Sequence, residues 1–114
     1  MDLEKHPAPL LDRAHLEAQT FGDADLAREV LSLFEDQCRL LLPTLAEEER
    51  PAEDRADLAH TLKGAALGVG AMRVAEASAT VEAGLRANGR ADLEALRSAA
   101  AQTLEALGAS GLEA

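Results

Sequence analysis

Aromatic residues are almost absent from this chain, which has two Phe, no Tyr and no Trp. A strand-built core draws on aromatic and β-branched side chains, so the shortage argues against a sheet protein. Cysteine is equally scarce. Cys38 stands alone, which excludes an internal disulfide and fits a reducing cytoplasm. No run of about 18 apolar residues occurs, so no membrane span is expected. The first nine residues mix charges with two prolines and lack the apolar centre of a secretion signal. Positive charge is in short supply: 11 Lys and Arg face 21 Asp and Glu, for a net charge of −10. That balance disfavours long-range attraction to nucleic acid or to an anionic membrane. Only Lys5 and Lys63 are lysines. His6, His15 and His60 occupy unrelated positions, and no His/Cys/carboxylate cluster has ligand spacing, so neither a metal site nor an intrinsic cofactor is expected.

What remains is rich in Ala, Leu and Glu, the composition of helices. Residues 1–9 read as a loose tail, 10–109 as one helical domain and 110–114 as a frayed end. A short helix is expected from Leu10 to about Thr20, with Leu10, Leu11, Ala14 and Leu16 as apolar contacts. Phe21-Gly22 interrupts it, and Asp23 is placed to cap a long second helix. The inward positions of that helix read as Leu26, Val30, Leu33, Phe34, Cys38, Leu41 and Leu45, at spacings of three and four. Pro43 should loosen its last turns. A third helix begins near Pro51 with Leu58, Leu62, Ala65 and Val69 inward, and Gly68 and Gly70 end it. The fourth runs from about Met72 to Ala87 with Val74, Ala77, Val81 and Leu85 inward, and Asn88-Gly89 stops it. The fifth runs from about Ala91 to Leu107 with Leu93, Leu96, Ala100, Leu104 and Leu107 inward. Short connections make neighbours antiparallel. The expected fold is all-α: an up-down four-helix bundle with a short extra N-terminal helix.

One segment departs from generic helix. In residues 59–71, Ala-His-Thr-Leu-Lys-Gly-Ala-Ala-Leu-Gly-Val-Gly-Ala, the histidine, lysine and first glycine share a helix face. At about 100° per residue His60 lies about 200° from Leu58, away from the expected core stripe. Lys63 and Gly64 follow it on that face, and Leu67 extends it by a turn. Neutral imidazole offers one ring nitrogen as a nucleophile. A nearby lysine can neutralise the oxygens of a phosphorylated ring. A glycine there removes a side chain from the path of an approaching partner, and an exposed leucine gives that partner an apolar anchor. Glycine at this position also suits close helix packing. Helices three and four turn around residue 71, so Glu82 and His60, eleven residues to either side, lie at equal depth. The hypothesis is that the Glu82 carboxylate accepts the Nδ1–H of His60, fixes its tautomer and aims Nε2 outward.

These residues resemble the motif of histidine-containing phosphotransfer (HPt) domains, Ala-His-x-Leu-Lys-Gly followed by a closing Gly-Ala pair. The match comprises Ala59, His60, Leu62, Lys63, Gly64, Gly70 and Ala71. Residues 22–34, with Asp23, Leu26 and Leu33-Phe34, look like the family's second helix, and Val81-Glu82 falls where the family has an apolar residue before glutamate. Residues 66–69 are more apolar and richer in glycine than the family pattern. The resemblance, which covers about residues 10–108, implies that His60 is the phosphorylated residue and that Lys63 and Gly64 support it. It implies a response-regulator receiver domain as partner, including one carried by a hybrid histidine kinase, with Mg²⁺ supplied by that receiver.

The expected function is therefore a phosphorelay carrier in a bacterial cytoplasm, a monomer that takes a phosphoryl group from a receiver aspartate onto His60 and passes it to another. The alternative is a helical scaffold that binds a signalling partner without phosphate chemistry. An autonomous kinase is disfavoured: the chain has no glycine-rich nucleotide loop and no room for an ATP-binding domain.

Overall fold

The computed structural model of the chain describes residues 8–109. Five helices occupy them: α1 (Arg13–Gln19), α2 (Ala24–Leu45), α3 (Ala52–Val69), α4 (Met72–Asn88) and α5 (Glu94–Ala109). The expected tail over residues 1–7, His6 included, and the end at 110–114 lie outside the described residues. Helices α2 to α5 form the four-helix bundle, and α1 packs on α3.

Local chemistry sets the boundaries. Helix α1 is shorter than expected because Asp12 caps it, its carboxylate accepting the His15 N–H at 3.0 Å, while its own N–H donates to the Gly70 carbonyl at 2.7 Å. Residues before Asp12 are thereby held outside the helix, and Ala14 faces solvent. Asp23 caps α2 through the amides of Asp25 and Leu26. Pro43 lies within the last turns of α2. Beyond them, the buried Arg55 of α3 donates from Nε to the Leu45 carbonyl at 2.9 Å, satisfying an acceptor that a helix end leaves open. Gly68 stays inside α3, and Gly70 alone ends it in a left-handed conformation, φ +81°. Gly89 does the same for α4. Helix α5 starts later than expected, at Glu94, where the Asp92 carboxylate accepts the Glu94 N–H.

Core positions are shifted in four helices. In α2 the buried row is Leu31, Phe34, Cys38, Leu41 and Leu45; Leu33 is 58 % exposed, and Leu26 and Val30 are half-buried. A 3-4-3-4 spacing from Leu31 leaves Leu33 about 100° off the row. In α3, Ala56, Ala59, Leu62, Ala66 and Val69 are buried, whereas Leu58 and Ala65 are half-buried. The alanines, which hydropathy weighs lightly, face the neighbouring helices and permit close approach. The same holds in α4, where Ala75 and Ser78 are buried and Ala77 is half-buried, and in α5, where Ala99 and Thr103 join Leu96, Ala100 and Leu107 while Leu104, and Leu93 just before the helix, are half-buried. Cys38 is 1 % exposed. Burial, chiefly, with the neighbouring Glu35 charge adding and Arg39 opposing, pushes its thiol up to about 11.

Candidate functional site

The α3–α4 hairpin brings His60 and Glu82 together as the sequence register requires. His60 Nδ1 lies 3.2 Å from both carboxylate oxygens of Glu82. An ionised carboxylate can only accept, so Nδ1 carries the proton and donates it. The lone pair is then on Nε2. The His60 side chain is 62 % exposed while that of Glu82 is 15 % exposed, so the carboxylate backs a ring presented to solvent.

Lys63 is part of the same cluster, with Nζ 3.6 Å from Glu82 Oε1. It is an arm engaged from behind the ring, not a freely solvated neighbour. Arg86, one turn along α4 from Glu82, completes the cluster. Its Nε donates to Glu82 Oε2 at 3.0 Å, and its two terminal nitrogens donate to Glu53 Oε1 at 2.8 Å and Asp57 Oδ1 at 3.1 Å. Burial alone would raise the Glu82 pKa, but hydrogen bonds from His60 and Arg86, with the charges of His60 and Lys63, bring it below the ordinary glutamate value. The bond to Asp57, then that to Glu82, raises Arg86 above its ordinary value.

Gly64 and Gly68 are helical glycines that the fold does not need. A Cβ built at either position meets no heavy atom within 4 Å, and neither φ is positive. Close helix packing therefore does not explain Gly64. Gly70 is different: a Cβ there would lie 2.6 Å from the Asp12 carbonyl oxygen. Leu67 is 45 % exposed, next to the open track left by Gly64 and Gly68.

All five site residues expected from sequence, His60, Lys63, Gly64, Leu67 and Glu82, thus fall on one region of the α3–α4 hairpin. Sequence reasoning missed Arg86, Asp57 and Glu53. The signal was present: Arg86 is four residues after Glu82, and Glu53 and Asp57 precede His60 by seven and three, on the same side of α3. Among the described residues no group of three or more His, Cys, Asp or Glu is arranged to hold a metal. Nor is any described helix long and apolar enough to cross a membrane.

The family model described as Hpt domain matches residues 29–110, most of the chain and all of the histidine motif. The chain belongs to the Hpt domain family. This Hpt domain is also similar to the crystal structure of histidine phosphotransferase ShpA from Caulobacter crescentus, with a TM-score of 0.73 and 36 % identity over 92 % of this chain and 93 % of that one. A search of curated proteins gave no match. The family and the similar structure together make the Hpt domain a phosphorelay histidine phosphotransfer protein, a phosphocarrier whose partners are receiver domains.

Proposed function

We propose that His60 is the phosphoacceptor of this Hpt domain and that Nε2 is the reacting atom. The observation that carries the assignment is the Nδ1 contact with both oxygens of Glu82, which leaves Nε2 unprotonated and outward. The Nε2 lone pair attacks the phosphorus of a receiver aspartyl phosphate. The P–N bond forms as the P–O bond breaks, and the aspartate leaves as a carboxylate. The ring, still holding its Nδ1 proton, becomes cationic and faces Glu82. Attack by the carboxylate of a second receiver reverses each step.

Lys63 neutralises the phosphoryl oxygens, and Gly64 leaves the backbone bare where the receiver's loops approach. Leu67 is the apolar anchor beside them. Mg²⁺ is supplied by the receiver, including the receiver of a hybrid histidine kinase, and the domain performs no ATP-dependent phosphorylation of its own. It works as a cytoplasmic monomer, with residues 10–109 as the folded unit.

The test mixes the protein with phosphorylated receivers and Mg²⁺. Acid-labile, base-stable label on the wild type and none on His60→Gln is the expected result. If no receiver labels the wild type and His60→Gln retains the biological activity, the domain is a scaffold and the assignment fails.

A further inference from the structure

Three donors hold Glu82, and they are not equivalent. His60 is the group being served. Lys63 reaches Oε1 at 3.6 Å from the end of a four-carbon stem. Arg86 is fixed on three sides, with each guanidinium nitrogen engaged: Nε on Glu82, the terminal pair on Glu53 and Asp57. A planar fork with all its corners occupied has one orientation, which an ammonium point charge would not have. Glu53 and Asp57 come from α3 and Glu82 from α4, so the fork also spans the hairpin that aligns Glu82 with His60.

Transfer changes the demands on this cluster. As the P–N bond forms, the imidazole becomes cationic and the phosphoryl oxygens bring negative charge beside it. Lys63 is the cation with the freedom to turn toward those oxygens. When it turns, Glu82 loses one counter-charge at the moment its own negative charge must balance the ring. Without Arg86, three carboxylates, Glu53, Asp57 and Glu82, would share the hairpin face, and Lys63 would be retained among them.

We propose that Arg86 is the positioning residue of the site: it holds Glu82 against Nδ1 throughout the transfer and so releases Lys63 for the phosphoryl group. The proposal rests on the assignment of His60 as phosphoacceptor. Arg86 touches neither phosphorus nor Nε2; it acts through Glu82.

The experiment compares the wild type with Arg86→Gln, Arg86→Lys and Arg97→Gln. Arg97 is exposed on α5, so its variant reproduces the charge change away from the site. Imidazole nitrogen shifts at pH 8 report the His60 tautomer, and the Glu82 side-chain carbonyl shift reports its titration. Labelling by phosphoramidate, in which the P–N bond to ammonia breaks as the bond to Nε2 forms, gives a rate without any receiver. In Arg86→Gln the Nδ1–H tautomer should lose its dominance, Glu82 should titrate at higher pH, and labelling should slow roughly tenfold. Arg86→Lys should restore the Glu82 titration but only part of the rate, and Arg97→Gln should match the wild type throughout. Thermal melts check that Arg86→Gln stays folded. Wild-type tautomer and rate in folded Arg86→Gln would overturn the proposal and leave the phosphoacceptor assignment standing. Failure of every receiver to label the wild type, with the tautomer still dependent on Arg86, would strike that assignment and with it the release of Lys63, leaving only the hold of Arg86 on Glu82.

Discussion

At the scale of single residues, the proposed mechanism assigns protons before any phosphate arrives. Glu82 is the decisive side chain in it, because a carboxylate against Nδ1 leaves the proton on that nitrogen of His60. Its pKa lies below the ordinary glutamate value, so its contribution to folding is present above about pH 4.5 and is lost as pH falls through the lowered value. Urea unfolding should therefore show the wild type more stable than Glu82→Gln at pH 7, with the gap narrowing as pH falls below the ordinary glutamate range. Phosphoramidate labelling of Glu82→Gln at pH 8 should be slower than wild type. The glutamine amide can present either its oxygen or its NH₂ to Nδ1, so it no longer imposes one tautomer. Equal labelling rates in the two proteins would remove Glu82 from the mechanism.

At the scale of helices, Gly64 within α3 and Gly70 at its cap make different demands. Gly64 faces open space, so Gly64→Ala should raise stability by about 1 kcal/mol in a thermal melt. The same variant should slow transfer from a receiver while leaving phosphoramidate labelling unchanged, since only the large donor needs the gap. Gly70→Ala should instead destabilise, by about 1–2 kcal/mol for the left-handed backbone alone and further for the contact with the Asp12 carbonyl. Helix number, order and the α3–α4 register were legible because glycine, proline and cap residues punctuate the chain strongly. That register sufficed to place Glu82 behind His60. The rotation of each helix was less legible. Alanine carries little hydropathy, yet Ala56, Ala59 and Ala66 form much of the buried side of α3, so a stripe traced through Leu58 and Ala65 came out rotated. The i+4 spacing to Glu82 alone did not single out Arg86, because its other partners, Glu53 and Asp57, belong to another helix and meet it across the folded hairpin.

At the scale of the whole molecule, the net charge of −10 is spread over a surface whose cations include Lys63 and Arg86, both already paired within the site. In the proposed docking to a receiver that is itself acidic, binding depends on local apolar contact at Leu67 and the bare track beside it. Affinity should change only modestly between low and moderate salt, as measured by calorimetric titration; a steep loss would mean that long-range attraction dominates. The bundle also contains its own clock. Cys38 is the only thiol in the chain; it is sealed in the core, and its pKa is held near 11. Only a molecule that opens exposes it to a thiol reagent, and the free thiol then reacts at its ordinary, lower pKa. At pH 8, modification of the native protein should track the population of open molecules and speed up with sub-denaturing urea. Native protein that reacts as fast as an unfolded peptide would contradict this. A phosphoryl group or a bound receiver that tightens the bundle would slow that reaction, so one buried sulfur would time events at His60 without a label at the site.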